Sequence, residues 1–422
     1  MSDRHLPVRP DLGQLKRQAK ELLSAFRSHD PGALAQLAAL HPHPPDPDTT
    51  RLSDAQLVLA RGYQASTWPH LVDAVRLANA IWEDDLGAVR ALIARRPALL
   101  HEPVLLRPGS SWGPPMSYAA NLGRDDIIRF LRSVGAEDLE KALGRAALQG
   151  QLGTFEMLYA MAGRPRVPDD ALGGPAYTLR ADSTAALLAL GARVVDEDGR
   201  RLAPVDVVLE TDARAPEAKH AILELYERHG LSLPDTPAMA LHRGRLDLLE
   251  EHLRRDPGLL RRTFAHREIY PAEMGCGDPL DATTGTPLDG TTLLHMAIEF
   301  DEMESARWLL ERGMDPDAPA AVGHSGFGGW TALFHTVVSQ PNYWMNRGRT
   351  TRAAPFADLL LGHGADPNVR ASLWKRLHPG HGDPARHDYR GVTPLSWGRR
   401  FHAPIFVSEP ALERIQSAGG VE

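Results

Sequence analysis

The sequence predicts an all-α fold, a helical solenoid built from repeated pairs of helices. The first observation is a phrase that recurs, clearly at 123–137 and more loosely at 300–315 and 355–368, with an acidic residue near its start and apolar residues at helical spacing. The second is the glycine that follows each copy, because glycine tolerates the left-handed conformation that ends a helix. The third is a shorter element upstream, which is clearest at 289–299.

The N-terminal residues 1–75 predict a separate helical cap. Asp11 can cap a helix, and the apolar residues that follow it recur at helical spacing. The proline-rich stretch 41–50 is expected to be a loop, because proline fixes φ and removes a backbone donor. Ser53 and Gln56 then form a capping-box pattern for a second helix. Repeat arrays need such caps to shield the end of their core.

Composition excludes several classes of protein. The 422 residues include 47 basic and 54 acidic side chains, and the net charge of −7 argues against a nucleic-acid partner. The single cysteine, Cys276, excludes an intrachain disulfide and a cysteine-rich zinc site. The start MSDRHLPVRP lacks the apolar core of a signal peptide, and no apolar run reaches the ~18 residues of a membrane span. We therefore expect a cytoplasmic protein with no membrane partner and no cofactor.

The shorter elements and the glycines resemble ankyrin repeats, whose pattern D-G-x-T-P-L-H-x-A-A precedes a second helix that ends in G-A-D. The resemblance is specific for 289–319 and 326–370. It implies a helical array with divergent repeats at 76–262 and better-matched repeats at 263–422, and a general role in protein binding. The matching residues are Asp289, Gly290, Thr292, Leu294, His295, Ala297, Gly313, Asp315, Thr331, Leu333, Gly364, Ala365, Asp366, Gly391, Thr393, Pro394 and Leu395.

Longer phrases resemble a group of bacterial ankyrin repeat proteins with a helical N-terminal cap. They are LKRQAKELL, DAQLVLARGY, HREIYPAEMG, GFGGWTALFHTVVS and VTPLSWGRRF. This resemblance supports the fold and implies no particular activity. The ankyrin pattern further implies that His295 bridges neighbouring repeats by hydrogen bonds.

Three stretches depart from the repeat pattern: 262–288, 339–356 and 373–391. Insertions in repeat proteins tend to emerge on one face, which is often the binding face. Aromatic and arginine side chains, which are enriched at binding hot spots, concentrate in or beside these stretches. We therefore predict that the three loops meet and bind a protein partner. The predicted binding residues are His266, Arg267, Glu268, Tyr270, Tyr343, Trp344, Arg347, His387 and Arg390.

The alternative function is an enzyme or small-molecule binder with a His/Glu/Cys site built from the same insertions. A closed pocket that joins His266, Glu268 or Cys276 to His335, His381 or His387 would favour it, with shifted pKa values. Common catalytic motifs are absent from the sequence, so we expect a binding protein more than an enzyme. A histidine-rich loop offers metal-ligand chemistry, but its spacing matches no rigid motif, so no metal site is predicted. The histidines of that loop are His378, His381 and His387.

Overall fold

The computed structural model describes residues 4–107, 109–211, 213–277, 285–338, 353–377, 383 and 385–422. By its internal contacts the chain divides into two compact units, 1–166 and 167–422. Helices dominate both units, and none of the described helices is long and apolar enough to cross a membrane. The prediction of an all-α fold is confirmed.

The helices of the N-terminal unit come first in the chain. They are α1 (Leu12–Arg27), α2 (Pro31–Leu40), α3 (Leu52–Gly62), α4 (Trp68–Trp82), α5 (Leu86–Arg95), α6 (Pro115–Ala120), α7 (Asp125–Ser133), α8 (Leu139–Gln149) and α9 (Leu152–Met161), with 3₁₀ turns at Pro47–Thr49 and Pro97–Leu100.

The C-terminal unit adds thirteen helices, a strand pair and further 3₁₀ turns in its described residues. They are α10 (Gly173–Tyr177), α11 (Ala181–Ala189), α12 (Val205–Glu210), α13 (Pro216–Arg228), α14 (Pro237–His242), α15 (Leu246–Arg255), α16 (His266–Ile269), α17 (Leu293–Glu299), α18 (Met303–Glu311), α19 (Ala332–Val337), α20 (Pro355–Gly362), β1 (Ala371–Lys375), β2 (His387–Val392), α21 (Pro394–Arg400) and α22 (Glu409–Ser417), with 3₁₀ turns at Pro257–Arg261, Ala272–Met274 and Pro404–Phe406.

Helix α1 shows how the apolar spacing creates the N-terminal core. Leu15, Ala19, Leu22 and Phe26 lie on one face of the helix and are all buried, and α1 packs against α3. Burying a leucine or phenylalanine side chain stabilises the fold by about 1.5–3 kcal/mol. The Asp11 side chain accepts a hydrogen bond from the Gly13 amide at 2.7 Å, which confirms Asp11 as the N-cap residue of this helix.

The predicted capping box at Ser53 and Gln56 is wrong, because the N-cap lies two residues earlier, at Arg51. Helix α3 begins at Leu52, and the carboxylate of Asp54 accepts a hydrogen bond from the Arg51 amide at 2.7 Å. An aspartate in the first turn both satisfies a free amide and complements the helix dipole, so it outcompetes the serine hydroxyl. The predicted boundary after residue 75 falls inside α4, which packs on α3, α5 and α6.

The C-terminal unit repeats one arrangement, a short first helix followed by a longer second helix. First helices pack on first helices: α14 on α17, α17 on α19, and α19 on α21. Most second helices end at glycines in the left-handed region, as the sequence predicts, whereas α15 is followed by Asp256 and Pro257. The φ angles are 98° at Gly191, 95° at Gly230, 88° at Gly313 and 88° at Gly364.

A buried histidine joins two consecutive repeats of this unit. The Thr292 amide donates to Nδ1 of His295 at 3.3 Å, and the Thr292 hydroxyl lies 2.8 Å from the same nitrogen. The proton therefore resides on Nε2, which donates to the carbonyl oxygen of Trp330 at 3.0 Å. Burial lowers the pKa of His295 to about 3, so the ring is neutral at pH 7. His295 has the bridging role that the resemblance implies.

In the described part of 373–391, residues 373–375 and 387–391 belong to two paired strands, whereas the sequence was expected to form a loop there. Strands β1 and β2 pair antiparallel, with Leu373 opposite Tyr389 and a register shift between Ala371 and Leu373. Alternate residues of β1 are buried, so the strand has one core face and one more exposed face.

We predict that Thr292→Ala lowers the free energy of unfolding by about 1 kcal/mol, because the hydroxyl that contacts His295 at the start of α17 is lost. Thr292→Ser keeps the hydroxyl and should restore most of that loss. Urea unfolding followed by circular dichroism measures both variants. An alanine variant as stable as the parent would show that the hydroxyl does not support this repeat.

Candidate functional site

Consecutive turns of the C-terminal unit are joined by backbone hydrogen bonds, which we call the turn ladder. The Gly290 amide donates to the Phe264 carbonyl and the Ala321 amide donates to the Gly290 carbonyl, each at 2.8 Å. Gly328 and Ser372 exchange two bonds, at 2.8 and 3.2 Å. The ladder therefore links the start of the predicted loop 262–288, through two repeat turns, to strand β1.

Gly328 is the tightest position of the ladder. Its φ of +141° is accessible to glycine and strained for other residues. A Cβ there would lie 2.2 Å from the carbonyl oxygen of Ala321 and 2.5 Å from Cα of Val322. The glycine therefore lets the two arms of the 320–330 turn approach each other closely.

An aromatic cleft of about 320 Å³ opens beside the ladder. Its walls come from α16, from the turn before α17, from the 321–330 turn and from β1. Two of the three predicted loops, 262–288 and 373–391, thus contribute to one concavity. Its lining residues are His266, Tyr270, Pro287, Leu288, Asp289, Gly290, Ala321, Val322, Gly323, Ser325, Phe327, Trp330, Trp374, Lys375 and Arg376.

Arginines cover the aromatic wall of the cleft. The Cζ atom of Arg390 lies 4.2 Å from the ring centre of Phe327. That of Arg386 lies 5.2 Å from Phe327 and 4.8 Å from Trp374, and its Nε donates to Asp388 at 2.8 Å. Stacking of a guanidinium on an aromatic ring contributes about 0.5–1 kcal/mol at an exposed site. These contacts order the two arginines and position their guanidinium groups beside Phe327 and Trp374.

His266 and Tyr270 form the opposite wall. The His266 amide donates to Oδ1 of Asp289 at 2.8 Å, and its ring lies 5.1 Å from that of Tyr270. Tyr270 is almost fully buried and packs edge-on against Phe300. Burial raises the pKa of Tyr270 well above its ordinary value. Tyr270 is therefore a fixed part of the wall, and a ligand would meet only its edge.

The neighbouring predicted residues serve the loop itself and do not line the cleft. Arg267 donates to the Cys276 carbonyl at 2.9 Å. The carboxylate of Glu268 accepts from the Ala265 amide at 2.8 Å and pairs with Arg262 at 2.5 Å. Both side chains thus stabilise the segment 262–277 through contacts within it.

His387 also lies outside the cleft. Its ring stacks on His402 with ring centres 3.9 Å apart, and its Nε2 lies 3.0 Å from a carboxylate oxygen of Asp383. Burial, followed by the neighbouring His387, lowers the pKa of His402 to about 4. Among the described residues, no group of three or more His, Cys, Asp or Glu side chains could hold a metal ion.

Several predicted residues lie outside the described residues. They are Tyr343, Trp344 and Arg347 of the second predicted loop, and His378 and His381 of the histidine-rich stretch.

The arrangement around Cys276 is unfavourable for nucleophilic catalysis. The thiol is buried, and burial together with the nearby carboxylates of Glu210 and Asp206 raises its pKa to about 12. A catalytic thiol needs the opposite shift, toward thiolate at neutral pH. Glu210 also accepts a hydrogen bond from the Gly277 amide at 2.7 Å, which holds the segment in place.

His335 belongs to the helical core. Its Nδ1 lies 2.8 Å from Oε2 of Glu299, and both side chains are fully buried. The backbone and side chain of Glu299 also accept hydrogen bonds from Arg214, at 2.6 and 3.3 Å. His335 does not line the cleft, so the structure does not bring it together with His266 there.

Strongly shifted pKa values are found in the same core. Burial lowers the pKa of Lys219 to about 7, and it lowers that of His242 well below its ordinary value. Lys219 lies 4.2 Å from the ring centre of Phe300, and the two buried side chains do not line the cleft. A cleft built for acid–base catalysis would carry such groups on its walls.

Comparisons with known proteins find similarity to ankyrin repeats. The family model for the Ankyrin repeat matches residues 289–321, and with the helical architecture this match confirms the predicted ankyrin-type all-α fold. The chain is similar to the human ASB11 ankyrin repeat domain at 14% identity and a TM-score of 0.26, over 73% of this chain and 99% of that one. It is similar to the ankyrin repeat domain of Bcl-3 at 16% identity and a TM-score of 0.22, over 65% and 97%. No curated protein matches the chain.

Sequence reasoning missed most of the cleft's aromatic side chains. Phe327 and Trp330 lie in the turn before α19, outside the three predicted insertions, and Trp374 lies within 373–391 but was not among the predicted binding residues. The phrase GFGGW at 326–330 carried a usable signal, because three glycines beside two aromatic residues indicate a tight turn with ordered side chains.

We predict that Cys276 resists alkylation in the folded protein. At pH 8 a thiol of pKa about 12 has roughly a thousandfold less thiolate than a free cysteine. Iodoacetamide labelling followed by mass spectrometry should therefore be slow in the native chain and fast in the same chain unfolded in guanidinium chloride. Equal rates in the two samples would indicate an activated thiol and revive the enzyme interpretation.

Proposed function

We propose that the C-terminal unit binds a protein partner in the aromatic cleft beside the turn ladder. The cleft combines aromatic rings, arginine guanidinium groups and a buried backbone framework in one concavity. Ankyrin repeats in general serve as scaffolds for protein–protein interaction, which agrees with such a role.

The observation that carries this proposal is the position of the cleft on successive turns. Phe327 and Trp330 belong to one turn, Trp374 to the strand that follows, and His266 to the segment before. The ladder fixes these elements relative to one another, so a partner would meet a preformed surface. Aromatic and arginine side chains dominate binding hot spots, where one anchor commonly contributes 2 kcal/mol or more.

The chemistry of the walls favours binding over catalysis. Cys276, the single thiol of the chain, is protonated at neutral pH. Lys219 and His295, whose pKa values are lowered by burial, belong to the core. Asp289, the carboxylate among the lining residues, accepts a hydrogen bond from the His266 amide and so holds the wall in place.

Val322 offers a direct test, because its side chain lines the cleft and is 67% exposed. We predict that Val322→Asp reduces capture of partner proteins from a host-cell lysate at least tenfold, since a desolvated carboxylate would oppose burial of the apolar contact. Quantitative mass spectrometry of proteins retained by the immobilised full chain measures the effect.

Ile405→Asp is the matched control, because Ile405 is 51% exposed in the same unit and does not line the cleft. Its captured proteins should equal those of the parent. Identical capture by the Val322 variant and the parent would contradict a binding role for this cleft.

A further inference from the structure

We infer that the cleft takes an extended peptide segment rich in Asp and Glu, which lies along the open edge of β1. This inference rests on the proposed function and specifies the partner's chemistry. Three features support the inference. They are a strand edge with backbone groups available for pairing, positively charged side chains beside it, and an exposed apolar side chain in the cleft.

The strand edge follows from the period of the β-strand. Ser372 exchanges both of its backbone hydrogen bonds with Gly328, on the side of β1 away from β2. Backbone groups alternate sides along a strand, so the N–H and C=O of Trp374 point to the same side as those of Ser372. Within the described part of the chain, no hydrogen bond reaches Trp374 from that side. An extended peptide can pair there, as in other complexes that add a strand to a sheet.

The charge around this edge is positive in a protein whose net charge is −7. Lys375 and Arg376 line the cleft, and Arg386 and Arg390 contact its aromatic side chains Trp374 and Phe327. Among the described residues, the carboxylate of Asp289 lines the cleft and that of Asp388 lies beside Arg386, and both accept hydrogen bonds. Asp388 accepts from Arg386, and Asp289 accepts from the His266 amide.

Arg376 and Arg390 supply the free charge. Both are exposed, and neither forms an ion pair with any described residue. Arg390 is held by its contact with Phe327, so its guanidinium is positioned before a ligand arrives. Guanidinium groups bind carboxylates through paired hydrogen bonds, which favours Asp and Glu over uncharged polar residues.

The apolar side chains of the cleft determine which residues of the peptide lie between its acidic ones. The exposed Val322 lines the same cleft as Phe327 and Trp374, so side chains between the acidic ones can bury apolar surface there. Successive side chains of an extended peptide point in opposite directions. The fitting segment therefore alternates acidic and apolar residues.

Selection from a random dodecapeptide phage library on the immobilised full chain tests this inference. We expect the selected peptides to be enriched in Asp and Glu, with apolar residues between them. The double variant Arg376→Glu and Arg390→Glu should bind the selected peptides at least tenfold more weakly by fluorescence anisotropy, and a selection on it should favour Lys and Arg.

Arg254→Glu combined with Arg307→Glu is the matched control, because both arginines are exposed on α15 and α18 and the change in net charge is the same. This control should keep the parent's affinity, which separates the local charge from the overall one. Circular dichroism of both double variants confirms that they fold.

The inference is overturned if the selection yields no peptides, if they show no acidic enrichment, or if they bind the Arg376/Arg390 variant as well as the parent. It is also overturned if the parent forms a dimer that this variant dissociates, because the occupant would then be a second copy of the chain. Lysate capture that depends on Val322 but occurs without peptide enrichment would leave the proposed function standing and remove only the peptide inference.

Discussion

The candidate site depends on one physical constraint, the pairing of buried backbone groups between consecutive repeat turns. The carbonyl oxygen of Trp330 accepts hydrogen bonds from both the Ala320 amide and the His295 ring, so the side-chain bridge and the turn ladder meet at one atom. An unpaired buried polar group costs about 1–3 kcal/mol, and each bond of the ladder avoids such a cost. The turns therefore act as a continuous framework on which the cleft is built.

The same unit separates its charged groups into two kinds of environment. Glu299 contacts both Arg214 and His335 in the core, where a lone charge would be costly. Arg376, Arg386 and Arg390 are exposed at the cleft, and the last two are ordered by stacking on aromatic rings. Ordered, solvated arginines lose little entropy on binding a carboxylate, so they suit recognition. Lys219 and His242, whose pKa values burial lowers, accordingly lie outside the cleft, whereas Tyr270, whose pKa burial raises, is a fixed part of its wall.

The repeated helices could be predicted from sequence because their signals are local. A glycine such as Gly313 ends a helix through its own backbone freedom, and Asp11 caps α1 through an amide two residues away. The cap of α3 was misplaced because Asp54 bonds the Arg51 amide and the helix begins before Ser53, whereas the residue types at 53 and 56 fit a capping box equally well. The strand β1 was missed, although the alternation in ASLWK indicated it.

The cleft was harder to predict because it is assembled from residues that are distant in sequence. His266 and Tyr270 were identified by composition, but the partners across the cleft, Phe327 and Trp374, are brought near by Gly328. Glu268 and Arg267 were predicted as binding residues on the same grounds, yet the hydrogen bonds that the structure gives them, to Ala265 and Cys276, lie within their own loop. Residue type alone cannot distinguish a side chain that faces a ligand from one that fastens a loop.

Amide hydrogen exchange, resolved to single residues, tests the central claim that the turn ladder holds the cleft. The Ala321 and Gly328 amides donate within the ladder, whereas the neighbouring Val322 amide has no hydrogen-bond partner among the described residues. The account predicts that Ala321 and Gly328 exchange about as slowly as the amides of α17, while Val322 exchanges much faster. Equally fast exchange at all three positions would contradict it, because the turns would then be independent loops and no preformed cleft would exist.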